Sequence, residues 1–179
     1  MIANILNAIT LSRIFCAILI YLILFLESNY SLALFLFFVA SFSDFLDGYL
    51  ARKTDSVSVL GEILDPIADK LLIVFVLIGL SINLDSFLIG FISAIIISRE
   101  IWVAALRDIN SRNNQSDKTK VTFLAKTKTA IQMLAILMYL FGLTLNSMMI
   151  LFFADIILII ALLVTIQTGF QYTISTFKK

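Results

Sequence analysis

Four aspartates, Asp44, Asp47, Asp65 and Asp69, sit close together in a chain that is 61% hydrophobic and has a mean hydropathy of +1.05. Their spacing is that of helix faces. Asp44, Asp47, Gly48 and Ala51 follow one another at steps of three, one and three, which makes one stripe. Gly61, Asp65 and Asp69 follow at steps of four, which makes a second. An ionised aspartate at the middle of a membrane-spanning helix costs about 2.5–3.5 kcal/mol, and four clustered anions also repel one another. The chain has no histidine, and Arg52, Lys53 and Lys70 are the cations close by in sequence. Without histidine, acid–base chemistry falls to carboxylates, and carboxylates suit hard ions such as Mg²⁺ or Mn²⁺. Four of them can form a two-metal arrangement that clamps a phosphate. Gly48 and Ala51, small and on the same stripe, leave room for a ligand or for close helix packing. A salt-bridged seam does not account for four acids on two stripes. A cation-transport pathway is the stronger rival, because intramembrane acids also mark ion routes.

Six apolar segments must carry these groups, at about 9–26, 31–51, 63–82, 86–106, 123–143 and 147–170. Each approaches the roughly 20 residues that a helix needs to cross a bilayer. The connections after the first, third and fifth segments, LESNYS, INLDS and LTLNS, contain no Lys or Arg. All 13 basic residues fall at the other ends. The positive-inside rule then puts both termini and the loops near 53–61 and 107–122 in the cytoplasm. The expected fold is an all-α membrane protein of six transmembrane helices, one domain over 1–179, with its site at the cytoplasmic ends of the second and third helices. The first apolar run lacks a clear small-residue cleavage site and is expected to be a retained helix. Cys16 stands alone, so no disulfide framework forms. No glycine-rich phosphate loop is present, and no nucleic-acid partner is expected.

Two further stretches are polar where the apolar pattern predicts otherwise. In NILNAITLSRI, residues 4–14, Asn7, Thr10 and Arg13 share a face, as expected of an interfacial anchor whose arginine snorkels. Arg99 lies inside an apolar span, where an unpaired guanidinium is costly, so a partner such as Glu100 or Glu62 is expected. Arg107, Lys126 and Lys128 fall at the same cytoplasmic level.

Written as a pattern, residues 44–69 read D-x-x-D-G-x-x-A-R, eight residues, then G-x-x-x-D-x-x-x-D. This resembles the signature of the CDP-alcohol phosphotransferase family at all eight fixed positions: Asp44, Asp47, Gly48, Ala51, Arg52, Gly61, Asp65 and Asp69. The resemblance implies six transmembrane helices and transfer of a phosphatidyl or similar group from a CDP-linked donor to an alcohol, with release of CMP. It also implies Mg²⁺ or Mn²⁺, in a two-metal site held by Asp44, Asp47, Asp65 and Asp69, with Asp69 as the base for the acceptor hydroxyl. Asn7, Thr10, Asp47, Gly48, Ala51, Arg52 and Gly61 would bind the CDP moiety of the donor. ISREIWVAALRD, AKTKTAIQM and NILNAITLSRI are similar to the bacterial branch that takes CDP-diacylglycerol as donor and sn-glycerol 3-phosphate as acceptor. On that likeness Arg99, Arg107, Lys126 and Lys128 would hold the acceptor's phosphate. Leu6 and Ala125 stand where members of that branch often have proline and glycine. Phosphatidylglycerol, serine and an inositol phosphate are the alternative acceptors. The resemblance further implies a homodimer among membrane lipids, in the bacterial cytoplasmic membrane.

Overall fold

The computed structural model describes residues 2–26, 29–54, 59–119 and 123–178. The side chains of 2–6, 44–54, 59–60, 62, 116 and 123–126 lie outside that description. Six long helices run in chain order: α1 (Ile2–Leu26), α2 (Tyr30–Thr54), α3 (Val59–Asn83), α4 (Phe87–Arg112), α5 (Phe123–Thr144) and α6 (Met148–Phe177). A 3₁₀ turn at Ser116–Thr119 interrupts the α4–α5 connection, and no strand occurs among the described residues. By length and composition α1, α4, α5 and α6 each contain a stretch able to cross a membrane, and α2 contributes the shorter apolar stretch Tyr30–Ser43.

The helices outrun the apolar segments at one end of the molecule only. At the end without cations they stop where hydropathy stops: α3 at Asn83, α5 at Thr144, with α4 and α6 restarting at Phe87 and Met148. At the basic end α1 begins at Ile2, α4 continues to Arg112 and α6 to Phe177. Backbone hydrogen bonding continues past the apolar window because the polar residues there, Asn7, Arg107, Asp108 and Thr176 among them, tolerate helix once water is available.

The tight turns share one device. Asp85, Asn114 and Asn146 adopt left-handed backbone angles, with φ of 46°, 55° and 50°. Each is followed by an N–H that reaches back five residues to a helix carbonyl: Ser86 to Ser81 at 2.9 Å, Gln115 to Asn110 at 2.7 Å and Ser147 to Gly142 at 2.9 Å. This is the Schellman closure, for which Asn and Asp are the side chains best suited after glycine. Ser86 then caps α4 by accepting from the Ile89 N–H.

The core runs through the apolar middle of the bundle and includes Ile20, Leu24, Phe37, Leu72, Leu77, Leu80, Ile92, Tyr139 and Leu140. Cys16 is half-buried and packs against this core. Outward faces carry Phe15, Phe35, Phe38, Phe152 and Phe170, all exposed, as lipid-facing side chains should be. α1 lies along α3 and also touches α2. α5 packs on α6 and α2, and α6 packs on α4. The 3₁₀ turn is tied to α6: the Ser175 hydroxyl donates to the Lys118 carbonyl at 2.9 Å.

The short connection allows the α2 and α3 stripes to face one another. Among the described residues the main neighbour of α3 is α1, whose polar face lies opposite Asp65 and Asp69. The α2 half of the arrangement falls on side chains outside the described residues.

Candidate active site

α3 presents Asp65 and Asp69 one turn apart, and α1 meets them with the face that carries Thr10 and Arg13. The Thr10 hydroxyl donates to Asp65 Oδ1 at 2.7 Å, and Arg13 Nη1 to Asp69 Oδ1 at 2.8 Å. Arg13 corrects the sequence reading. It does not snorkel at an interface: its side chain is fully buried, opposite an Asp69 that keeps 27% exposure. The aspartate cluster therefore has a resident cation, delivered from a helix more than fifty residues away. Asn7 and Gly61 lie half-buried near the starts of α1 and α3. Asp44, Asp47, Gly48, Ala51 and Arg52 lie on the last turns of α2, with side chains outside the described residues.

A second cluster forms where α4, α5 and α6 converge. Arg99 donates Nη1 to Glu100 Oε1 at 2.8 Å and Nη2 to Thr168 Oγ1 at 2.9 Å. Of the two partners expected for Arg99, Glu100 is observed, and the side chain of Glu62 lies outside the described residues. Lys128, buried on α5, pairs with the same Glu100 oxygen, and Lys70 Nζ stands 3.6 Å from the other. The Arg99 and Arg107 guanidinium carbons sit 5.8 and 5.6 Å from the ring centroid of Tyr172, within cation–π range. Lys126 falls in the first turn of α5, with its side chain outside the described residues.

Several contributors were missed at the sequence level. Thr165, Thr168, Gly169 and Tyr172 are buried on one face of α6. Thr165 accepts from Gln132 at 3.1 Å, and Gly169 gives Arg99 its passage. A β-carbon at Gly169 would lie 3.1 Å from Arg99 Cγ, so a larger residue would force the arginine to shift. The signal was present: three polar residues and a glycine at spacings of three, one and three, on one face of a helix rich in Ile, Leu and Phe.

One pocket of about 510 Å³ joins the two clusters. Asp69 and Lys70 border it from α3, Arg99, Glu100 and Arg107 from α4, and Lys128, Thr129 and Gln132 from α5. Among the described residues four cations thus face two carboxylates around one space. Such a pocket can take an anion against Lys128, Arg99 and Arg107 while an oxygen of the same molecule approaches Asp69. The α3 carboxylates are hard oxygen donors one turn apart, with Asp44 and Asp47 close in sequence, and this donor chemistry fits Mg²⁺ or Mn²⁺.

These features, an all-helical membrane chain with paired carboxylates beside a cationic pocket, agree with its sequence relatives. The chain belongs to the CDP-alcohol phosphatidyltransferase family, whose model matches residues 3–167. It is therefore an enzyme, of a family that generally depends on divalent metal ions. More particularly, it is similar to proteins named CDP-diacylglycerol–glycerol-3-phosphate 3-phosphatidyltransferase. That of Rickettsia bellii is 38% identical over 172 residues, covering 94% of this chain and 93% of the relative. That of Haemophilus influenzae is 38% identical over 149 residues, 82% of this chain and 78% of the relative. The Escherichia coli (strain K12) protein is 31% identical over 135 residues, 74% of each.

Proposed function

We propose that this protein transfers the phosphatidyl group of CDP-diacylglycerol to sn-glycerol 3-phosphate, giving phosphatidylglycerophosphate and CMP. The observation that carries this reading is the shared pocket. An acceptor with a phosphate at one end and a hydroxyl near the other matches a space with Lys128, Arg99 and Arg107 on one wall and Asp69 on another. The names of the similar proteins support the same donor and acceptor.

In this reading Asp69 accepts the proton of the acceptor hydroxyl as that oxygen attacks the phosphorus from the side opposite CMP. Arg13 holds the Asp69 carboxylate in place, and Thr10 does the same for Asp65. Asp44, Asp47, Asp65 and Asp69 would hold two ions, Mg²⁺ or Mn²⁺, which when bound offset the charge of the pyrophosphate and of departing CMP. Gly48, Ala51, Arg52, Gly61 and Asn7 would border the cytidine diphosphate. All 179 residues form one domain of six spanning helices with both termini cytoplasmic, in keeping with the one-sided distribution of Lys and Arg. The working form is a homodimer in the bacterial cytoplasmic membrane, a state supported by the family resemblance.

CMP release is the test. Purified protein in detergent, given CDP-diacylglycerol and Mg²⁺, should release CMP with glycerol 3-phosphate. Release only with serine, an inositol phosphate or phosphatidylglycerol would overturn the acceptor. No release with any alcohol, together with cation flux in vesicles, would overturn the reaction.

A further inference from the structure

We propose that Glu100 is the resident counter-anion of this pocket, holding the phosphate-binding cations in the place for which an incoming phosphate competes, and that it thereby sets acceptor specificity. The proposal rests on the reading of the pocket as the acceptor site. Glu100 gathers three cations from three helices: Arg99 beside it on α4, Lys128 on α5 and Lys70 on α3. All four residues line the pocket. Glu100 is a positioning residue here, acting on the acceptor through the cations that it holds.

The cations differ in freedom. Arg99 is fixed: its Cγ lies against Gly169, Nη2 is bonded to Thr168, and Tyr172 faces the guanidinium. Its Nε finds no hydrogen-bond partner among the described residues, so it retains an unused donor. Lys128 is buried, with only 5% of its surface exposed, and Glu100 is the carboxylate that it meets. Lys70 keeps 42% side-chain exposure and can swing. Without an anion these charges would repel one another in a poorly screened space. Glu100 prevents that, but a carboxylate has two oxygens for three cations. A phosphate brings three acceptor oxygens and up to two charges, and can take over the same donors.

Among the described residues four cations line the pocket against Glu100 and Asp69, an excess that a phosphate monoester dianion would match. A neutral alcohol has nothing to exchange for the Glu100 pairings, and would leave them intact. Selection for a phosphorylated acceptor then arises from displacement of an internal anion, in addition to attraction by the cations.

The test uses inorganic phosphate as probe, with Glu100→Gln and Glu100→Asp in the full chain. Phosphate should inhibit CMP release competitively with glycerol 3-phosphate. In Glu100→Gln its inhibition constant should fall by about tenfold or more, since one competing charge is gone. Glu100→Asp keeps the charge but withdraws it, and should show a smaller fall of about threefold. The Michaelis constant for CDP-diacylglycerol should stay within about twofold in both, an outcome that general loosening of the fold would not give. An unchanged or raised inhibition constant in either folded variant overturns the proposal, as does a parallel rise in the lipid constant. Phosphate titration of thermal unfolding in detergent reads the same displacement without turnover. If the wild-type chain proves to use another alcohol, the acceptor reading fails, yet the titration still decides the role of Glu100.

Discussion

The two ion clusters that border the pocket are built in opposite senses. Between α1 and α3, acids are in the majority among the described residues and one buried arginine, Arg13, is brought in to meet Asp69. Among the described residues of α3, α4 and α5, cations are in the majority and one glutamate, Glu100, is brought in to meet Lys70, Arg99 and Lys128. Each cluster carries an excess of one sign, moderated by one residue of the other. The first excess suits metal ions and the second suits phosphate. A reaction that joins a phosphoryl donor to a phosphorylated alcohol needs both, close together but not neutralising one another. The separation is structural. Glu100 on α4 and Arg13 on α1 each act as a local counter-charge, so the aspartates and the lysines need not pair directly and close the space between them.

This contrast can be broken from either side. Asp69→Asn should have the largest effect, a loss of transfer of about a thousandfold or more, since it removes the base as well as a metal ligand. CMP release measures it, with size-exclusion chromatography confirming that the protein is intact. Retained turnover would remove Asp69 from the chemistry. Arg13→Met should come next. Removing one partner of a buried ion pair costs about 3–5 kcal/mol, and the remaining exposure of Asp69 puts the expectation at the low end. Thermal unfolding in detergent should show it, together with reduced turnover. Lys128→Ala acts on the opposite cluster. A hydrogen bond to a charged group is worth about 1.5–3 kcal/mol, so the Michaelis constant for glycerol phosphate should rise by roughly tenfold to a hundredfold, with little change for the lipid. Equal effects on both substrates would dissolve the distinction between the clusters.

The smallest effect is expected away from both. The Tyr139 hydroxyl on α5 donates to Asp155 on α6, well toward the other end of the bundle. Interhelical hydrogen bonds inside a membrane average about 0.6 kcal/mol by double-mutant cycles. Tyr139→Phe should therefore lower the unfolding midpoint slightly and leave both Michaelis constants where they were. A change in acceptor affinity would show that the pocket is coupled to the distant end.

Much of this arrangement was legible in the residue order. Hydropathy located all six helices, and the cation-free connections INLDS and LTLNS fell at observed turns, because there the apolar run and the helix end together. At the basic end the two diverge: a hydrophobic window reports where lipid is, while the helix continues into water. Hence α1 was placed from about residue 9 although it starts at Ile2. Asp65 and Asp69 were found by spacing alone, since neighbours on one helix face are a local property. Arg13 was misread because its partner comes from another helix, and no helical periodicity encodes that pairing. Glu100 was half found, named only as one option for Arg99. The α6 face Thr165, Thr168, Gly169 and Tyr172 was readable in principle but was masked by the helix's overall apolar character.

The Schellman-closed turns at 84–86 and 145–147 have a practical corollary. Each is three residues long, with the same Leu, Asp or Asn, Ser order, and each is sealed by a bond across its base. An antibody or protease approaching from that end would find almost no loose chain to seize at either corner. An epitope inserted there would have to unwind a helix terminus. At the opposite end the turn Asn113–Gln115 carries the same closure, but it is exposed and opens into a longer polar connection. A tag for mapping which way the protein sits in its membrane belongs in that longer connection, and the three-residue corners make natural negative controls.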